Sequence, residues 1–463
     1  MTLSPNQTQN QEVQPENTIG LVREMGLLHA VSVNMLQMLG IGPFITMGII
    51  ISAMGGPQAI LGWLMGAFVS ICDGLTCAEL AAALPGAGGP YIYLREAYNR
   101  DTWGRLLSFL FIFQTVLVAP LSISAACVGF ADYVQYAVPR LTSTDVSLTA
   151  VAACLFVTFL LLRPIATIGK LTVIILSIVI GAMLWVIVAG LINMHVKMAF
   201  DFPPGAFHLS TGFFFGMASA TLFALYNYGG YNTITYLAGE VRDPIRNIPR
   251  AIGLSILAVA VFYVGMSVAI IGVIPWQKAE QSHAIVSDFI GKLYGHGAGT
   301  VMTVLILIAA LGSIFMMMLG YSRVLYASGE DGILLKAFGR LHRKGKFPTV
   351  ALFVLCGLSI PLCWLSIEKL IAAMMVIQII FQFIPRNLAV FAIRRYRKEI
   401  HLPFKMWFYP WPVIIATLGW IYAAATPSQR GYFGWAGALL VCGVATYLLR
   451  SRNSGDWPFR ARS

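Results

Sequence analysis

The chain has 463 residues, of which 58% are hydrophobic and only 11% charged, with a formal net charge of +12. Soluble domains carry about 25% charged residues, so this composition excludes a soluble fold and indicates an integral membrane protein of all-α class. The positive charge does not point to nucleic acid, because the basic residues fall in short segments between apolar runs, the distribution of the positive-inside rule.

Residues 1–20 are polar and read as a disordered tail; no cleavable signal peptide is visible, so the first span is expected to direct its own insertion. A crossing helix needs about twenty apolar residues. The chain offers twelve such runs: 27–53, 58–83, 105–137, 146–163, 169–194, 211–237, 250–274, 299–326, 348–365, 368–393, 410–426 and 432–449. With both termini in the cytoplasm, the outer loops hold Arg140, Lys197, Lys278, Lys292, Lys369 and Arg430. The other Lys and Arg lie inside, in clusters such as Arg340, Arg343, Lys344, Lys346 and Arg394, Arg395, Arg397, Lys398. That fixes the expected orientation in a plasma (inner) membrane.

The first run contains Leu39-Gly40-Ile41-Gly42-Pro43-Phe44. Proline lacks an amide hydrogen and its ring clashes with the carbonyl of Leu39, while Gly42, just before it, is pushed away from helical angles. The helix is expected to break there, at bilayer depth, where freed backbone groups survive only against protein or a watery cavity. The sixth run holds a second candidate, Tyr226-Asn227-Tyr228-Gly229-Gly230-Tyr231. Paired broken helices near the midplane mark transporter binding sites. Breaks in the first and sixth runs suggest five helices repeated upside down: 21–200 and 201–400, followed by two further helices over 401–450 and a cytoplasmic tail over 451–463.

Between these breaks, Asp73 lies midway along the second run; an intramembrane acid is costly to bury, so it is either the candidate for proton coupling or a protonated structural Asp bonded to a neighbouring helix. Glu79 is expected to pair with an arginine. Residues 85–98, from Pro85 through Pro90-Tyr91-Ile92-Tyr93-Leu94 to Tyr98, read as a turn and an amphipathic interfacial helix. The segment Gly239 to Arg250 offers charges that can latch the inner side. Asn34, Gln37, Gln114 and Ser122 are polar positions inside spans, suited to lining a pathway or to bonding between helices. Seven cysteines and seven histidines show neither disulfide nor metal spacing, and no nucleotide loop or nucleophile elbow is present. No cofactor and no catalytic or metal-binding residue is expected.

Four stretches carry a family resemblance. They are Gly40-Ile41-Gly42-Pro43-Phe44; Cys77-Ala78-Glu79-Leu80 with Pro85 through Leu94; Tyr228-Gly229-Gly230-Tyr231-Asn232 with Asn247-Ile248-Pro249; and Gly312-Ser313 with Tyr321-Ser322-Arg323 and Glu330-Asp331-Gly332. Together the chain resembles amino acid permeases of the amino acid–polyamine–organocation superfamily, with motifs similar to the L-type permeases. The resemblance implies the leucine-transporter-type five-plus-five inverted repeat with helices 1 and 6 discontinuous. It also implies a carboxylate site at Ile41, Gly42 and Phe44 around Pro43, and an amino-group site at Tyr226, Asn227 and Gly229. A half-helix restarting after Pro43 presents a positive dipole end, which suits a carboxylate. Thr46, Tyr228, Gly230, Tyr231 and Met317 complete the expected pocket. Ile41 stands where the family has serine, and Val179 where some proton-coupled relatives have lysine. The substrate class, amino acid or polyamine, therefore stays open, as do proton, sodium or exchange coupling and a non-transporting sensor. The expected partners are a small amino acid or amine and the bilayer, not nucleic acid; the sequence names no partner subunit.

Overall fold

The computed structural model describes residues 23–86, 88–162, 165–282, 284–342, 347–454 and 456–459, the side chains of 165–171 and 428 excepted. The expected tail over 1–20, Ala87 of the turn and Arg343, Lys344 and Lys346 of the inner cluster lie outside those residues. Regular structure among the described residues is helical, with one isolated bridge between Met25 and Val241.

In chain order the α-helices are α1 (Leu27–Met38), α2 (Gly42–Met54), α3 (Ile60–Ala83), α4 (Pro90–Ala97), α5 (Trp103–Ala137), α6 (Ser143–Leu161) and α7 (Ile165–Asn193). A single turn, α8 (Val196–Ala199), precedes α9 (Thr211–Tyr228), α10 (Thr233–Tyr236) and α11 (Pro244–Ile271). The turn α12 (Trp276–Ala279), α13 (Ile285–Tyr294) and α14 (His296–Glu330) follow. The rest are α15 (Thr349–Ser359), α16 (Ile367–Gln378), α17 (Ile384–Tyr396), α18 (Trp411–Ala424) and α19 (Arg430–Ser454). Eight of the described helices are long and apolar enough to cross a bilayer, nine when α1 and α2 are taken as one bent span. The protein is an integral, multi-pass membrane protein. Three of the expected runs do not form such a helix. Thr349–Trp364 and Trp411–Ala424 are short helices, and the sixth run loses its α-winding after Tyr228.

The first break is real, but its position corrects the sequence reading. α1 ends at Met38, α2 begins at Gly42, and the two are bent by 46°. Pro43 sits in the first turn of α2, where its missing amide has no helical partner to lose. Gly42 is therefore inside the helix rather than extended, and the chain leaves the helix upstream, at Leu39–Ile41. The second break follows α9 as a 3-10 turn over Gly229–Asn232.

Small residues let α3 and α9 approach. Gly62 and Gly66 face Ala220 and Ala224, each pair four residues apart on its own helix; a Cβ on either glycine would lie 2.6 Å from the facing alanine Cβ. Gly66→Val is expected to cost about 1–3 kcal/mol by overpacking, read as a lower melting temperature in detergent. Gly253→Val, where nothing lies within 4 Å of the new Cβ, is the control. Equal melting of the two variants would show that this contact is loose.

α4 is a helix, as read, but it does not lie on the surface. Tyr91, Tyr93, Leu94 and Ala97 are buried, and Tyr91 donates to Asp331 Oδ2 at 2.6 Å. Gly88 and Gly89 adopt φ of 101° and 49°, turning the chain inward beside Thr235 and Tyr236. The expected tail over 451–463 is partly structured too: α19 runs to Ser454, Asp456 pairs with Arg105 at 2.8 Å, and Trp457 O accepts from Tyr447.

Candidate functional site

The two breaks meet. A Cβ on Gly42 would overlap Asn227 Oδ1, and one on Gly40 would overlap the Ser313 side chain of α14. Gly230 also lies against Gln37 and Met38 of α1, where an added Cβ would come within 2.6 and 2.8 Å. These glycines are what let a first half-helix, a second unwound segment and α14 share one point. Asn227 Nδ2 donates to Thr46 Oγ1 at 2.6 Å and to Phe223 O at 2.7 Å, pinning the end of α9 to α2. Asn34 Oδ1 accepts the Ile234 amide at 3.0 Å, tying α1 to α10.

A cavity of about 70 Å³ opens at this junction. The first run contributes Gln37, Ile41 and Gly42; the sixth contributes Tyr226, Asn227, Gly229 and Gly230. α14 adds Ser313, Met316, Met317 and Tyr321, and α5 adds Ser122. The far wall is Met374 and Gln378 of α16 with Gln382 and Phe383. These last two lie in a π-helical turn, Ile379–Phe383, within the continuous span Ile367–Tyr396. Such turns re-aim side chains and recur at functional sites. Ser122, Tyr321 and Gln378 form a polar chain, with Ser122 and Tyr321 oxygens 3.4 Å apart and Gln378 Nε2 3.5 Å from Tyr321 Oη. Gln382 Nε2 donates to Tyr236 Oη at 3.3 Å. Among the described residues, no Asp, Glu, Lys, Arg or His lines the cavity.

Backbone ends of the two half-helices face this space. Ile41, which caps α2, offers no side-chain oxygen, so no side chain caps the start of that helix. At the end of α9, Tyr226 O accepts the Gly229 amide, and Asn227 O accepts from Tyr263 Oη at 3.3 Å. Each carbonyl keeps a second lone pair. The same Tyr263 hydroxyl also reaches Met38 O, so it stands between the closing ends of both half-helices.

Several expected pocket residues are elsewhere. Pro43 and Phe44 are buried behind the cavity, with Phe44 O accepting from Tyr133. Thr46 is engaged by Asn227. Tyr228 does not close over the cavity; it is fully buried between Trp63 and Tyr263, with ring centroids 6.4 and 5.0 Å away. Tyr231 points away as well and donates to Asp73. Asp73 is bonded to neighbouring helices, and one of its partners is a charge that the sequence reading did not pair with it. Arg386, from α17, forms an ion pair with it, and Trp420 Nε1 donates to its Oδ1 at 3.1 Å. The sequence reading passed over Arg386, Gln382 and Gln378 inside one apolar run. Their spacing of four residues, a polar stripe on a crossing helix, is the signal that marks them. Glu79 does pair with an arginine, accepting two bonds of 2.7 Å from Arg394.

A family model described as amino acid permease matches residues 25–441. The chain belongs to that family. The permease is 26% identical to the serine/threonine exchanger SteT of Bacillus subtilis over 417 residues, 86% of this chain and 90% of that protein. It is 29% identical to Asc-type amino acid transporter 1 of Homo sapiens over 356 residues, 73% of this chain and 65% of that protein. It is 28% identical to the human large neutral amino acids transporter small subunit 2 over 353 residues, 73% of this chain and 63% of that protein. The permease thus spans about 65% of the length of the human relatives it matches.

Proposed function

We propose that this permease moves net-neutral amino acids across the inner membrane by alternating access, as an exchanger. One observation carries the reading: the cavity touches both interrupted helices and holds no ionisable Asp, Glu, Lys, Arg or His among the described residues. A zwitterion brings one positive and one negative group, and the two half-helix ends offer opposite partial charges. The carboxylate lies at Ile41 and Gly42, with the Phe44 amide in the same first turn and Pro43 contributing none. The ammonium lies at the carbonyls of Tyr226, Asn227 and Gly229. The side chain faces Gly229, Gly230 and Met317, where Gly229 leaves open space, and the glutamine-lined far wall. A polyamine or a charged side chain would enter this site without a counter-charge, a costly transfer. The names of two relatives, a serine/threonine exchanger and a large neutral amino acids transporter subunit, agree with a neutral cargo.

The same reading includes twelve crossings, which adds Thr349–Trp364, Trp411–Ala424 and α9–α10 to the nine. It includes the five-plus-five inverted repeat over 21–200 and 201–400, with α18 and α19 outside it, and cytoplasmic termini. Purified protein in liposomes loaded with L-serine is expected to take up external L-threonine or L-leucine by counterflow, and to ignore L-lysine and putrescine. Counterflow of putrescine, or none for any neutral amino acid, overturns the proposal. Imposed pH and sodium gradients, applied separately, distinguish exchange from coupled uptake.

A further inference from the structure

Behind the cavity wall lies a charged cluster that is not part of the cavity lining. Asp73 and Arg386 are both fully buried and paired through Arg386 Nη2 and Asp73 Oδ2. Tyr231 Oη donates to the same carboxylate oxygen and lies 3.3 Å from Arg386 Nη2. Trp420 Nε1 holds the other oxygen. The guanidinium carbon sits 5.2 Å from the centroid of the Phe383 ring, and that ring stacks on Trp420 at 3.9 Å and 6°. The cluster therefore grips two cavity walls from outside. Tyr231 follows directly on Gly229 and Gly230, and Phe383 ends the π turn that carries Gln382.

We propose that Asp73 and Arg386 are positioning residues: their ion pair locks the unwound segment of the sixth run to the π turn of the tenth and thereby sets substrate affinity. The affinity part rests on the substrate reading of the cavity given above. A charge left alone in the bilayer interior is strongly unfavourable, whereas removing both charges is often nearly neutral. The lock thus predicts an asymmetry between single and double variants that a proton carrier does not share.

The test uses full-length protein in liposomes with L-threonine as the probe. Tyr231→Phe keeps both charges and removes only the tether; its KM is expected to rise about tenfold, a loss of about 1.4 kcal/mol, with maximal rate and pH profile unchanged. Asp73→Asn and Arg386→Gln are each expected to raise KM by more than about tenfold. The double variant strands no charge, and its Asn and Gln amides can bond to each other and to the Tyr231 hydroxyl in place of the ion pair, so it is expected to recover to within about threefold of the parent. Loss of the response to an imposed pH gradient in Asp73→Asn, with KM unchanged, overturns the inference and makes Asp73 a proton carrier. A double variant no better than the worse single also overturns it. A second reading is independent of transport. In a Cys442→Ser background, Gly229→Cys faces open space, and its labelling by a membrane-permeant maleimide is expected to quicken several-fold when Tyr231→Phe is added. An unchanged labelling rate removes the lock even if the cavity carries no threonine; faster labelling without any transport leaves the lock standing and removes the substrate reading.

Discussion

Glutamine in place of Glu240 is expected to destabilise the permease by about 3–5 kcal/mol, the usual cost of stranding one half of a buried ion pair. Glu240 and Arg323 are each 1% exposed, and Arg323 Nε donates to Glu240 Oε1 at 2.6 Å. The other two guanidinium nitrogens of Arg323 have no hydrogen-bond partner among the described residues, so the carboxylate is the charge that answers them. Glu240 also holds the segment just before α1 through its backbone. Glu240 O accepts the amides of Glu24 and Met25 at 3.1 and 3.0 Å, and Met25 O accepts that of Arg242 at 2.8 Å. The Glu240 side chain thus ties the segment from Gly239 to Arg250 to α14. Thermal melting in detergent measures the loss, and Glu240→Gln combined with Arg323→Met is expected to melt closer to the parent than Glu240→Gln alone. A single variant that melts within a degree of the parent would show that the pair holds nothing.

Gly42→Ala is expected to lower uptake of a neutral amino acid by at least about a hundredfold while the protein still inserts and folds. The new methyl would overlap Asn227 Oδ1 and come within 3.5 Å of the Tyr226 ring. Relief requires Asn227 to give up its bond to Thr46, or α2 to back away from the sixth run, and either change parts the two backbone ends that face the cavity. A displacement of about 1 Å at a positioning contact costs on the order of a hundredfold. Counterflow in liposomes reads the rate, and size-exclusion profiles confirm folding. Combining Gly42→Ala with Asn227→Gly is expected to return part of the activity, because it removes the atom that is struck. Full activity in Gly42→Ala alone would mean that the junction is looser than the geometry implies.

The legible and illegible parts of this molecule separate along one line. Gly40, Gly42 and Pro43 announced a break, and the break exists, because proline and glycine act on the backbone beside them. Its exact place shifted to Leu39–Ile41, since a proline is equally at home in the first turn of a new helix. Gly229 and Gly230 announced the second break in the same local way. The tyrosines on either side did not announce their direction. Tyr228 turned to Trp63 and Tyr263, and Tyr231 to Asp73, because rotation of an unwound segment follows from what packs around it. Asp73 was visible as an unusual acid, but its partner lies 313 positions away on α17.

Sequence alone therefore determined that the chain lives in a bilayer, that it is helical, that its helices fail at two places and which motifs surround them. Those properties depend on hydropathy and on backbone freedom, both of which are local. Tertiary structure decided that the two failures touch, that glutamines rather than charges line the space between them, and that Arg386 and Arg323 neutralise the buried acids Asp73 and Glu240. Pairings of that kind depend on which helix faces lie side by side, and no short stretch of sequence encodes that.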